Sequence, residues 1–176
     1  MTELQNTGAT APDLCIELAK PDDYPAVGDL VARSYLAAGY FDDPQHAYLD
    51  VVRQVADRAA HCEVFVARQQ GHVVGTMTLI RYGSRYADIA RPGELEIRML
   101  AVDPQIQRAG VGRLLVRATI ERARKLHDVD TVSLTTGADW LGARALYERL
   151  GFTHRQERDW TVPGTQVHLV VYTLKV

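Results

Sequence analysis

The chain reads as an α/β protein with a mixed sheet flanked by helices, and three observations predict this. The hydrophobic period changes from helical to alternating at Glu63. The stretch "EVFVARQQGHVVGTMTLIRY" splits into two apolar runs at Gln70-Gly71, as an antiparallel hairpin does. Finally, "ELEIRMLAV" leads through a glycine-containing turn into the amphipathic "RLLVRATIERARKL" and on to "TVSLTT". That is a β-α-β unit, which sets two parallel strands side by side through a crossover helix.

The remaining elements follow in order. "LCIELAK" alternates as a first strand. "PDDYPAVGDLVARSYLAAG" reads as a helix with Asp22 or Asp23 as cap, Pro25 in its opening turn and Gly39 at its stop. "PQHAYLDVVRQVADRAAH" repeats Leu49, Val52, Val55, Ala56 and Ala59 at helical spacing and predicts one second helix. After the hairpin, "SRYADIARPG" is a loop. In "ELEIRMLAV" simple alternation puts Leu95, Ile97, Met99 and Ala101 on one face, and Glu94, Glu96, Arg98, Leu100 and Val102 on the other. The crossover helix carries Leu115, Val116, Ala118, Ile120, Ala123 and Leu126 toward the core. "WLGARALYERL" is a short helix stopped by Gly151, and "FTHRQERDWTV" with "TQVHLVVYTLKV" closes the chain as a hairpin around Pro163-Gly164.

With 176 residues the chain suffices for one domain, expected over residues 13–176 behind a polar tail of residues 1–12. A formal charge of −2 gives no general attraction to nucleic acid or to an anionic membrane. The N-terminus lacks a basic-then-apolar signal pattern and no segment approaches a membrane-spanning apolar length, so a soluble, cytoplasmic protein is expected. Cys15 and Cys62 fall outside any CxxC spacing and read as small buried strand residues in a reducing compartment. The six histidines form no HxxxH pair, and no metal site is expected.

The stretch "QRAGVG", Gln107 to Gly112, lies where a strand gives way to a helix. The first turn of a helix leaves amide donors without partners, and the helix dipole adds partial positive charge there. Glycines let the backbone approach a bulky anion closely, and Arg108 and Arg113 add formal charge on either side. From the residues alone, a phosphate seat and a plain tight turn both remain open. The dinucleotide pattern GxGxxG and the P-loop ending GK[ST] are absent, which counts against a nucleotide-binding protein.

Gln107-Arg108-Ala109-Gly110-Val111-Gly112 resembles the acetyl-coenzyme A pyrophosphate loop, Q/R-x-x-G-x-G/A, of the GNAT N-acetyltransferase superfamily. "LAVDPQIQRAGVGRLLV" is similar to that family's whole strand–loop–helix, "ARALYERLGF" to its second marker A-x-x-L-Y-x-x-x-G-F, and "GHVVGTMTL" to its second hairpin. The likeness runs in the family's order from about residue 13. It implies a mostly antiparallel central sheet whose parallel strands splay around the β-α-β core. Acetyl-CoA is the implied donor, with no metal. The implied coenzyme contacts are main-chain amides over Gln107, Arg108, Ala109, Gly110, Val111, Gly112 and Arg113 for the pyrophosphate. Leu100, Ala101 and Val102 would pair with the pantetheine arm through their backbones, which needs no particular side chain, and Ala143 opens the second marker.

By the same resemblance Tyr147 matches the tyrosine that protonates the departing thiolate, and Glu96 the position where several members keep a general base. The residues themselves also allow Tyr147 to be a packing residue, and Glu94, Glu96 and Arg98 to be an ion pair near a sheet edge. One departure stands out: where the family commonly has asparagine, three residues before the marker alanine, this chain has Trp140. For the acceptor, the loop "SYLAAGYFDDP" supplies Tyr35, Tyr40 and Phe41 with Asp42 and Asp43 nearby, a set able to receive a cation or simply to anchor a helix end; Trp160 and Tyr82 are further candidates. The implied function is direct transfer of an acetyl group from acetyl-CoA to a primary amine, without a covalent acetyl-enzyme, since no cysteine sits in a motif. The implied partners are acetyl-CoA and an amine-bearing acceptor, with no nucleic acid or membrane and with a homodimer as a common assembly. The rival is a non-catalytic acyl-CoA-binding regulatory module, which would bind coenzyme and release no thiol.

Overall fold

The structure, a computed structural model, describes residues 14–106 and 109–176. The tail expected over residues 1–12, and the coenzyme-loop residues Gln107 and Arg108, lie outside the described residues. The chain runs β1 (Leu14–Leu18), α1 (Tyr24–Ala37), α2 (Ala47–Arg53), α3 (Val55–Ala59), β2 (Glu63–Gln69), β3 (His72–Arg81), β4 (Glu94–Val102), α4 (Val111–Arg124), β5 (Thr131–Gly137), α5 (Leu141–Arg149), β6 (Thr153–His154), β7 (Trp160–Thr161) and β8 (His168–Lys175). The strands form one sheet in the order β1-β2-β3-β4-β5-β8-β6, with β7 also paired to β8. Every pairing is antiparallel except β4 with β5, the two strands that α4 connects.

Helices cover both faces. On one side α4 and α5 bury Leu115, Val116, Ala123 and Tyr147 against Met77, Leu79, Leu95, Ile97 and Leu134 of the sheet. On the other, α1 and α2 place Val31, Ala32, Leu49 and Val52 over Met99 and Ala101, and Val27 and Val55 pack on Val64 and Val66. Gly75 on β3 lets α4 come close, because a Cβ there would stand 2.8 Å from Val111 and 3.1 Å from Leu115. The β2–β3 turn at Gln70-Gly71 has positive φ at both residues, 49° and 80°, the conformation of a tight two-residue hairpin.

Four expectations are corrected. The simple alternation along β4 fails at Met99, whose φ is +53°. Thr78 pairs with Arg98 and Thr76 with Ala101, so one residue of β3, Met77, spans two of β4. This bulge reverses the sides beyond it. Leu95 and Ile97 face α4, whereas Met99 and Ala101 face α1 and α2. Second, the helix expected over residues 44–61 is two, broken at Gln54, whose ψ of 59° leaves the helical region. The break lets Val52 and Val55 bury into different clusters. Third, the closing hairpin is assembled from β6 and β7, both short and both paired with β8, with a 3-10 turn at Gln156–Arg158 between them. Fourth, Cys15 is exposed on β1 and Cys62 lies half-buried in the α3–β2 bend rather than in a strand.

Candidate active site

The parallel ladder between β4 and β5 covers only Glu94–Ile97 against Thr131–Leu134. Beyond it the sheet opens into a cleft of about 1020 Å³. Leu100, Ala101 and Val102 form one side, α5 supplies Gly142, Ala143 and Leu146, and the start of α4 supplies Gly110, Gly112 and Arg113, with Ala109 beside them. Ser34, Ala38 and Tyr40, at the end of α1 and just after it, complete the wall. The Met99 bulge is what turns the end of β4 into this wall.

Gly110 caps α4 with φ of +84°, left-handed geometry that a side chain resists, and no side chain caps the helix there. Among the described residues, no side-chain acceptor takes the first-turn amides of α4. The Ala109 amide is differently placed: it donates to the Ile106 carbonyl at 3.2 Å. Gly112 packs against Leu146 and Val102, 3.6 and 3.7 Å from where its Cβ would stand, so helix and strand approach closely at the foot of the cleft. The Val111 side chain is buried in the core. Arg117 and Arg149 also line the cleft. Neither was singled out from sequence, although the Arg113–Arg117 spacing of one helical turn was legible there.

Tyr147 lies on α5 with 6% of its surface exposed and packs its ring against Phe152 and Tyr172, centroids 5.9 and 6.2 Å away. Burial, with a smaller contribution from the neighbouring Tyr40 phenol, pushes its phenol well above the usual tyrosine value. It is protonated throughout the physiological range. Packing and a proton-bearing hydroxyl thus coexist in one side chain.

Glu96 is fully buried. Its Oε2 accepts from the amides of Asp88, Ile89 and Ala90 at 3.0–3.1 Å, while Oε1 takes only a long contact, 3.3 Å, from the Asp88 amide. Burial raises its pKa; the amides of Ile89 and Ala90 and the Arg98 charge counter this only in part. Glu94 instead pairs bidentately with Arg158 at 2.7 and 2.9 Å, and Arg98 meets Asp88 at 2.8 Å. The structure therefore separates the three charged residues of this strand into different partnerships.

The aromatic residues after α1 do come together. Tyr35 lies 5.4 Å from Tyr40 and 6.3 Å from Phe41, and Phe41 continues to His46 and Tyr48. Tyr40 also stacks on Trp140. Tyr82 is exposed in the turn just after β3, and Trp160 is half-buried on β7.

A sheet opened between parallel strands, with a glycine-led helix at the foot of the opening, accompanies a direct family match. The chain belongs to the acetyltransferase (GNAT) family, whose model matches residues 25–152. It is 30% identical over 103 residues to the uncharacterized N-acetyltransferase YvbK of Bacillus subtilis (strain 168), a match covering 58% of this chain and 59% of that protein. Among solved structures it is similar to a Bacillus subtilis acetyltransferase in complex with CoA, at 25% identity and a TM-score of 0.65, covering 93% of this chain and 99% of that one. It also resembles yncA from Salmonella typhimurium, solved with its cofactor acetyl-CoA, at 21% identity and a TM-score of 0.68, covering 92% and 93% of the two chains. No helix among the described residues is long and apolar enough to cross a membrane.

Proposed function

We propose that this protein transfers an acetyl group from acetyl-CoA directly to a primary amine. The observation that carries the reading is the cleft beyond the Ile97–Leu134 rung, walled by Leu100–Val102 and footed by the glycine-led start of α4. A diphosphate suits the first-turn amides of α4 with Arg113 and Arg117 beside them, since amide donors and the helix dipole both favour an anion. The pantetheine arm lies along Leu100, Ala101 and Val102.

In this reading the amine nitrogen attacks the thioester carbonyl carbon, the new C–N bond forms and the C–S bond breaks. Glu96, as the base, takes the ammonium proton through Oε1, the oxygen with the weaker internal contact; its raised pKa makes it a stronger base than an ordinary carboxylate. Tyr147 gives its hydroxyl proton to the departing sulfur, and the second proton of the attacking nitrogen, shed as the amide forms, restores the phenol. Measuring CoA thiol release from acetyl-CoA over a panel of amines tests the proposal. Amine-dependent release supports it, whereas tight coenzyme binding with no release over the whole panel replaces it with a coenzyme-binding module.

A further inference from the structure

A second cavity, of about 290 Å³, lies on the α1–α3 side of the sheet, between α2, α3, the start of the β3–β4 loop and β4. It is lined by arginines on three sides. Arg58 of α3 is 1% exposed, Arg98 comes from β4, and Arg85 stands in the β3–β4 loop, paired with Asp57 at 2.7 Å. Arg98 is already neutralised by Asp88 and donates as well to the Tyr86 carbonyl and to the Tyr48 hydroxyl.

Arg58 is different. Its Nε reaches the Thr78 hydroxyl and its Nη1 the Val52 carbonyl, both at 3.2 Å. Its Nη2 is shielded from water and meets no hydrogen-bond partner among the described residues. Tyr35, Tyr48, Cys62 and Tyr86 act on its charge, while the Asp57 carboxylate that lines the same cavity is taken up by Arg85. A buried cation without an opposing charge is costly, and a folded chain retains one where something else supplies the anion. Nearby, the Tyr48 hydroxyl accepts from Arg98 and keeps its own proton to donate. Among the described residues Arg58 is therefore left with one donor that has no acceptor and with no carboxylate paired to it.

The cavity's position on β4 gives that lack a meaning. Arg98 and Met99 line this cavity, and Leu100, the next residue, lines the coenzyme cleft. Only Met99, the bulge residue, separates Arg98 from Leu100. Resting on the acetyl transfer proposed above, we infer that the acceptor is a small amine bearing a carboxylate, with the carboxylate seated between Arg58 and the Tyr48 hydroxyl and the amine directed toward the cleft. Guanidinium groups suit this because their planar fork matches a carboxylate. The matching substrate class is amino acids rather than polyamines or peptide amines remote from a carboxylate.

The test uses matched acceptors: several amino acids, their carboxamides and the corresponding plain alkyl amines, each assayed by CoA thiol release. The wild-type protein is compared with Arg58→Met and Arg58→Lys. Thermal unfolding and calorimetric acetyl-CoA binding confirm that each variant is folded. The expected result is a kcat/KM for the acids at least 30-fold above that for their amides. Arg58→Met collapses this ratio toward one, mainly through KM, and Arg58→Lys restores part of it. Amides or plain amines turned over as well as the acids overturn the inference and leave the acetyl transfer standing. An Arg58→Met effect equal on acids and amides overturns it as well. No thiol release with any of the amines, while acetyl-CoA still binds, overturns the acetyl transfer and this inference with it.

Discussion

The rings of Tyr40 and Trp140 stack with centroids 3.4 Å apart and planes 13° from parallel. Tyr40 follows α1 and lines the cleft, while Trp140 is the N-cap of α5, the helix forming the opposite wall. Trp140 is also seated over Gly137 at the end of β5, where a Cβ would stand 2.4 Å from the indole. The pair thus ties one wall of the coenzyme cleft to the other. Replacing either ring by alanine is expected to widen the cleft and weaken acetyl-CoA binding. A double-mutant cycle in thermal unfolding should return a coupling of about 0.5–1.5 kcal/mol between them. Strict additivity would mean that the stack holds nothing together.

Tyr147→Phe keeps the ring contacts with Phe152 and Tyr172 and removes only the hydroxyl. The account predicts a fall in kcat of about 10²–10⁴-fold with acetyl-CoA affinity nearly unchanged, because only a proton donor is lost. Steady-state kinetics together with calorimetric binding read both quantities. An unaltered kcat would reduce Tyr147 to a packing residue.

Glu96→Gln is expected to remove the acidic limb of the kcat/KM pH profile as well as to slow the reaction. The sign follows from burial, which raises the carboxyl's pKa. The wild-type rate should fall as pH drops through that raised value, where the base becomes protonated. Because Gln can still accept from the amides of residues 88–90, a loss of rate with the limb intact would indicate that Glu96 only positions the loop.

The Glu94–Arg158 pair is nearly buried, with side chains 9% and 7% exposed. Burial works against the Glu94 charge, yet the bonds from Arg158 and from the Arg91 amide outweigh it and hold the carboxyl below its usual 4.5. The folded state therefore binds this proton less readily than the unfolded chain. The pair's stability is present above pH 4.5 and is lost as pH falls through the lowered value. Arg158→Met should cost about 3–5 kcal/mol near neutral pH, since it strands a buried carboxylate. Denaturant unfolding at several pH values should show that difference shrinking in acid.

Gly75→Ala places a methyl group 2.8 Å from Val111 at the start of α4. The Val111 and Leu115 side chains or the helix that carries them must shift, at a cost of about 1–3 kcal/mol. Acetyl-CoA affinity should fall along with stability, because the same turn presents the anion-binding amides. Loss of stability with full coenzyme affinity would separate the two.

Much of this architecture was legible because it rests on local patterning. The β-α-β unit, the Gln70-Gly71 hairpin and the glycine-led start of α4 each follow from period changes and turn residues. What escaped depended on contacts between distant segments. Nothing in "ELEIRMLAV" announces that Met99 takes a left-handed backbone; the bulge shows only in the pairing with β3 and in the packing of Met99 against α1 and α2. The sequence likewise offered Glu94, Glu96 and Arg98 as one charged face, and only Arg158, 64 residues away from Glu94, and the loop at residues 88–90 split them. Arg58 carries no signal of its own in the sequence. The break at Gln54 and the Thr78 hydroxyl drew it inside.

The most direct test is a crystal structure of the protein grown with CoA. The account predicts the diphosphate on the amides at the start of α4, the pantetheine chain beside Leu100, Ala101 and Val102, and the sulfur within hydrogen-bond reach of the Tyr147 hydroxyl. Coenzyme bound elsewhere, with the opening between β4 and β5 unfilled, would contradict it.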